Sequence, residues 1–167
     1  NSSDLFLLMK VKQCGFSDDY VIGFYILYNL VFALAAFPLG HLADKFGMKK
    51  TLVFGFAVFA VVYAGFGVNN GLAGFALLFV LYGIYAASTD GVSKALISNM
   101  VPKKETASAI GTYSGLSSIA VLLASTLAGV IWKYVSPQAV FLVSAGGVAL
   151  SATYLLTLRF KEKELSS

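Results

Sequence analysis

Along this chain, long uncharged runs alternate with short polar or basic interruptions, and the run lengths are those of membrane-spanning helices. A spanning helix needs about 20 predominantly apolar residues, within a range of roughly 17–25. Residues 20–40 meet that length without a charge. No charge occurs from Thr51 to Thr89, which is too long for one helix, and Asn69-Asn70-Gly71 breaks the run with turn-forming residues. Spans are therefore predicted over 51–68 and 72–98. Another uncharged run covers 106–132. Pro102 and Glu105 stand ahead of it, where a missing N–H and a negative charge both suit a helix start. A last span is predicted over 136–158, with Ser136-Pro137 as cap and first turn. Residues 1–9 are apolar apart from Asp4 but too few to cross a bilayer, and they read as the end of a sixth helix whose beginning is missing. The pattern predicts an all-α integral membrane protein. One transmembrane domain covers 1–167, an antiparallel helix bundle of five complete spans plus the end of a sixth.

Composition agrees with this pattern. Hydrophobic residues make up 58% of the 167 and charged residues 12%, against roughly 45–50% and about 25% in soluble domains. A soluble chain of this size has too little interior to bury the excess, so the lipid bilayer is its expected surroundings. The formal charge of +4 does not imply nucleic acid, because the basic residues sit at the ends of apolar runs rather than in one stripe. Asn1-Ser2-Ser3-Asp4 has no initiator Met and no basic region ahead of an apolar core, so it is no signal peptide and reads as the interior of a longer protein. Cys14 is the lone cysteine, which excludes an internal disulfide or cysteine metal cluster and leaves a small packing residue. No cofactor or metal is expected.

The short connections make consecutive helices antiparallel neighbours, and basic residues in short loops set their orientation. One side carries Lys45, Lys49, Lys50, Lys103, Lys104, Arg159, Lys161 and Lys163; the other has Lys10, Lys12 and Lys133. That imbalance places the C-terminus and the loops at 41–50 and 99–105 in the cytoplasm, and makes the partial first helix run outward.

The most specific local signal is the run from Gly40 to Lys50, GHLADKFGMKK, which follows Pro38. Gly40 and Gly47 permit a tight turn between antiparallel helices, Asp44 offers a helix-capping acceptor, and the lysines supply positive charge. This run resembles the signature loop of the major facilitator superfamily, G-x-L-A-D-R-x-G-R-K, which occurs there between the second and third helices and, more weakly, between the eighth and ninth. The resemblance implies a conformational latch between two halves, bracing the outward-facing state, formed by Gly40, Asp44, Gly47, Lys49 and Lys50. Lys45 and Lys49 stand where arginine or lysine is usual; Met48 stands where arginine is common, which weakens any bidentate contact there. Thr89-Asp90-Gly91-Val92-Ser93-Lys94-Ala95-Leu96, Val101-Pro102-Lys103-Lys104-Glu105 and Ala109-Ile110-Gly111 are similar to the tenth and eleventh helices of bacterial members. There the loop commonly continues to an Arg-Gly pair, whereas Thr106-Ala107 follow Glu105 here. With residues 1–4 ending a seventh helix, the resemblance implies the C-terminal half of the fold, helices seven to twelve, in the inner membrane of a bacterium. Its partners are then the missing N-terminal half of the same polypeptide and a small-molecule substrate.

Asp90 is the ionisable residue of most interest. A central Asp costs about 2.5–3.5 kcal/mol on insertion scales, so it should face a cavity or a partner rather than lipid. Lys94 is four residues on and shares its helix face. Two readings stand: a proton or substrate path, or a local ion pair whose lysine reaches the cytoplasmic boundary. Asp4 is either a second cavity carboxylate or a solvated helix-end charge. Ser3-Asp4 and Thr89-Asp90 would correspond in a three-plus-three inverted repeat. Gly111 and Gly115 form a G-x-x-x-G whose expected purpose is tight helix packing within the half, and Gly146-Gly147 read the same way. His41 is expected to be solvated. Phe16, Tyr20, Tyr25 and Tyr28 suit interfaces and lipid-facing surface.

Secondary active transport by alternating access, coupled to an ion or proton gradient, is the expected function. An intramembrane serine protease would need G-x-S-G and an intramembrane histidine, and a two-aspartate protease would need G-x-G-D. Ser114-Gly115, His41 in a loop, and Ser88-Thr89 before Asp90 meet neither pattern, so no enzyme is expected. An oligomeric channel or membrane scaffold is the alternative, disfavoured by the lack of a filter-like loop. No nucleotide-binding loop appears.

Overall fold

The computed structural model describes residues 2–157. Six α-helices follow one another: α1 (Ser2–Gln13), α2 (Asp18–Phe46), α3 (Met48–Val68), α4 (Leu72–Met100), α5 (Thr106–Tyr134) and α6 (Pro137–Thr157), with a 3-10 turn at Lys103–Glu105 before α5. Five of them, α2 to α6, are long and apolar enough to cross a membrane.

The helix ends are set by local chemistry. Gly47 alone separates α2 from α3: its φ of 100° is open to glycine, and its N–H donates to the Ala43 carbonyl at 3.0 Å. At the opposite end, α3 stops at Asn69, whose N–H donates to the Gly65 carbonyl at 2.8 Å. The Asn69 amide donates to the Gly71 carbonyl at 3.0 Å, and its oxygen receives the Gly71 N–H at 3.3 Å, tying the turn to α4. Ser136 caps α6, its hydroxyl accepting the Ala139 N–H at 3.1 Å, and Pro137 takes the first helical position. Pro38 lies inside α2 without ending it.

Two boundaries differ from expectation for a physical reason. α2 continues past residue 40 to Phe46, because Leu42-Ala43-Asp44-Lys45 are compatible with helix and nothing before Gly47 breaks it. α1 runs to Gln13 and carries Lys10 and Lys12 in its last turn, where cations favour a helix C-terminus. Asn1, the residue Leu158, and the tail bearing Arg159, Lys161 and Lys163 lie outside the described residues, so the basic tail used to orient the chain is not placed.

α2 packs on α4, α4 on α3, and α3 on α6, while α1 and α5 lie more loosely against this row. The core is aromatic. Phe66, Phe75, Phe79, Tyr82 and Phe141 are fully buried; Phe24 stacks on Phe79 with centroids 5.2 Å apart, and Phe66 meets Phe79 edge-on at 5.3 Å. Each such pair adds about 0.5–1.5 kcal/mol beyond area burial. Glycines make the close helix approaches possible. A side chain on Gly83 of α4 would meet the Tyr28 carbonyl at 2.9 Å and Val31 Cβ at 2.8 Å; one on Gly55 of α3 would meet Ser88 Oγ at 2.5 Å. Many large apolar side chains point outward, Leu34, Phe37, Leu122 and Leu150 among them, as expected of helices whose outer face meets hydrocarbon. α5 has no buried residue among those described.

Candidate functional site

α4 carries the polar stripe of the bundle. Tyr82, Tyr85, Thr89, Asp90 and Ser93 recur at helical spacing and line a cavity of about 320 Å3. α2 adds Tyr28 and Phe32, α3 adds Phe56, and α5 closes the far side with Tyr113. Tyr82 lies between two other tyrosines, 5.0 Å from the Tyr28 ring and 5.5 Å from the Tyr85 ring. Thr89 does not spend its hydroxyl on the cavity, donating it to the Tyr85 carbonyl of its own helix at 2.9 Å.

Asp90 is exposed on this wall, its side chain 60% accessible, and its Oδ1 accepts from Lys94 Nζ at 3.0 Å. The ion pair expected from the four-residue spacing is therefore present, and it sits at the cavity rather than against the apolar core.

Asp4 is 7% exposed and accepts a hydrogen bond of 2.6 Å from the Tyr82 hydroxyl, itself on a residue 1% exposed. The solvated helix-end reading of Asp4 does not describe this geometry. Its carboxylate lies behind Tyr82, in contact with a cavity-lining residue without lining the cavity itself. Heights along the helices agree: Asp4 precedes the end of α1, and Tyr82 follows the start of α4, by roughly 14 Å at about 1.5 Å per residue. The side chain of its sequence neighbour Ser3, half of the expected repeat pair, lies outside the described residues.

The GHLADKFGMKK segment takes a different form from the loop expected. Gly40, Asp44 and Lys45 belong to the last turns of α2, and the turn is the single residue Gly47. Gly40 has ordinary helical backbone, with open space where a side chain would stand. No side chain caps α3 or α5, so Asp44 does not act as a cap in this arrangement. Instead Asp44, Gly40 and Met48 share a second groove, of about 280 Å3, with Asp90 and Gly91 between α2 and α4. Lys49 donates from Nζ to the Leu156 carbonyl at 2.9 Å, joining the start of α3 to the end of α6, where a cation meets exposed helix carbonyls. Lys50 and His41 are exposed.

At the other end of the bundle Lys10 is buried, with Nζ 3.3 Å from Asn70 Oδ1, and Cys14 Sγ lies 3.4 Å from the same oxygen. Cys14 also packs against the aromatic core, in keeping with a small packing residue. Gly111 and Gly115 have no atom within 4 Å of a would-be side chain; the close approaches within the described residues fall at Gly55, Gly65, Gly74 and Gly83 instead. Gly146 and Gly147 are equally open on that test.

The tyrosines are what the sequence reading missed. Tyr28 and Phe16, expected at interfaces or lipid-facing surface, pack against the core cluster, whereas Tyr20 and Tyr25 are exposed. A signal was present: Tyr82 and Tyr85 stand three residues apart and continue the face that bears Asp90.

Five spanning-length helices around an aromatic core, with an ion pair at a cavity on one face, define a multi-pass α-helical membrane protein. Residues 7–167 match the family model of the Major Facilitator Superfamily, and the chain belongs to that family. It is 36% identical over 135 residues to an uncharacterised MFS-type transporter of Methanocaldococcus jannaschii, a match covering 81% of this chain and 34% of that protein. It is 28% identical over 117 residues to the tetracenomycin C resistance and export protein of Streptomyces glaucescens, covering 70% of this chain and 22% of that one. Against the D-arabinitol transporter of Klebsiella pneumoniae, identity is 32% over 123 residues, covering 70% of this chain and 28% of that protein. The chain thus spans about a third or less of the curated relatives it matches.

Proposed function

We propose that this chain is the C-terminal half, helices seven to twelve, of a secondary active transporter that carries a small solute by alternating access, coupled to an ion or proton gradient. The observation that carries this reading is the α4 wall: Asp90 and Lys94 are exposed beside a tyrosine-lined cavity rather than packed into the aromatic core. A charged pair exposed at membrane depth needs a polar cavity, and a second half facing it provides one. Membership of the superfamily and the names of the relatives, one an export protein and one a D-arabinitol transporter, support solute transport. The short coverage of those relatives supports a missing N-terminal half as partner.

In this reading Asp90 and Lys94 belong to the transport path, and Asp4 positions Tyr82 on its wall. Gly40, Asp44, Gly47, Lys49 and Lys50 form the conformational latch on the cytoplasmic side. Gly111 and Gly115 lie on the open side of α5, where small residues admit a helix of the other half. The cell membrane holds the protein with the Gly47 turn and the C-terminus inside.

Asp90→Asn in the intact polypeptide tests the reading. Reconstituted vesicles with a lumenal pH dye are challenged with a solute panel that includes D-arabinitol. Solute-evoked proton movement should fall to background in the variant while the protein remains folded and monodisperse. Unchanged proton movement removes Asp90 from the mechanism.

A further inference from the structure

The α4 cavity has a composition that selects by charge. Six aromatic rings line it, those of Tyr28, Phe32, Phe56, Tyr82, Tyr85 and Tyr113, and its one charged lining residue is Asp90. A second carboxylate, Asp4, stands behind the Tyr82 ring and takes its hydroxyl proton donor at 2.6 Å. Lys94 lies outside the lining, held on Asp90 from one turn further along α4. Ring faces carry negative potential, and a cation over them gains about 0.5–1 kcal/mol when exposed and about 2 or more when desolvated. Asp90 and the ring faces favour a cation over an anion of the same shape.

We propose that the cavity binds a bulky hydrophobic organic cation, its charge at Asp90 and its apolar groups among the six rings. The proposal rests on the reading of this cavity as the transport site and names its substrate class. Lys94 then acts as a resident stand-in for the substrate charge. It satisfies Asp90 while the cavity is empty, and it gives way when the organic cation arrives. The two cations compete for one carboxylate. Removing the lysine should therefore tighten substrate binding, whereas removing the carboxylate should weaken it. A purely structural ion pair would not give opposite signs.

Isosteric ions of opposite charge test this on the intact polypeptide in detergent, with binding to empty micelles subtracted. Tetraphenylphosphonium should bind at least tenfold more tightly than tetraphenylborate. Lys94→Met should tighten phosphonium binding severalfold, Asp90→Asn should cut the preference between the two ions severalfold, and Asp90→Glu should keep it. Equal affinity for the two ions in the unsubstituted protein overturns the proposal, as does phosphonium affinity indifferent to both Lys94→Met and Asp90→Asn. The equilibrium measurement separates this inference from the transport reading. Lost selectivity beside Asp90-dependent proton movement sinks the cation alone, whereas intact selectivity beside Asp90-independent movement sinks the transport role.

Discussion

The Tyr82 hydroxyl donates a 2.6 Å hydrogen bond to Asp4, joining α1 to α4 where both side chains are almost wholly buried. Among the described residues α1 is a short helix packed loosely on the rest, so a buried hydrogen bond in its first turn does much to hold it in place. Tyr82→Phe leaves a buried carboxylate short of a donor, and the expected cost is about 1–3 kcal/mol. Asp4→Asn keeps an acceptor oxygen facing Tyr82 and should cost less than half as much. Thermal unfolding of the two variants in detergent checks the order. A Tyr82→Phe protein as stable as its parent would mean that the bond does not anchor α1.

Gly83 lets α2 and α4 approach closely. A Cβ there would meet a backbone carbonyl, that of Tyr28, at 2.9 Å, and backbone cannot rotate aside. Gly83→Val should therefore separate the two helices, lower stability by about 1–3 kcal/mol, and widen the cavity that Tyr28 and Tyr82 share. Gly65→Ala should be milder, because the clash there is with the flexible end of Leu78. Comparable melting temperatures for the two variants would contradict this ranking.

Helix number and most of the spanning stretches were legible in the sequence, because each depends on a local quantity: a run of apolar residues long enough to cross, interrupted by Asn-Asn-Gly or by a basic stretch. Asp90 and Lys94 were legible as a pair for the same reason, since four residues along one helix fix their proximity. Asp4 with Tyr82 was not, because 78 residues separate them and only the tertiary fold brings them together. The cavity tyrosines were hidden by their own ambiguity: an aromatic ring with a polar tip suits a membrane interface and a cavity wall equally well, and the sequence pattern of one helix does not say which. Gly40 and Gly47 show the limit from the other side. Both satisfy the same motif, yet only Gly47 adopts a positive φ.

That difference is testable. Gly47 has φ 100° and ψ 134°, a backbone region that costs a side-chain-bearing residue on the order of 1–3 kcal/mol. Gly47→Ala should destabilise the junction of α2 and α3 by about that amount, while Gly40→Ala, helical and with open space around it, should leave stability unchanged. Equal losses from both would place the turn elsewhere than at residue 47.

The imbalance of basic residues predicts which end of the bundle faces the cell interior. Lys45, Lys49, Lys50, Lys103 and Lys104 cluster at the end holding Gly47 and the 3-10 turn, whereas Lys10, Lys12 and Lys133 lie at the end holding Asn70. Loops rich in lysine resist translocation, which sets the first cluster inside. Cys14 is the lone native thiol, so a Cys14→Ser background gives a clean reporter. In the intact polypeptide, Lys50→Cys and Lys104→Cys, both exposed positions, should react with a membrane-impermeant maleimide after cells are permeabilised and not before. Gly71→Cys should react in intact cells, since a side chain there meets nothing closer than Asn69 Oδ1 at 3.8 Å. The reverse pattern would put the Gly47 turn outside, and with it Asp44 and the lysines of the proposed latch, on the side where no cytoplasmic closure takes place.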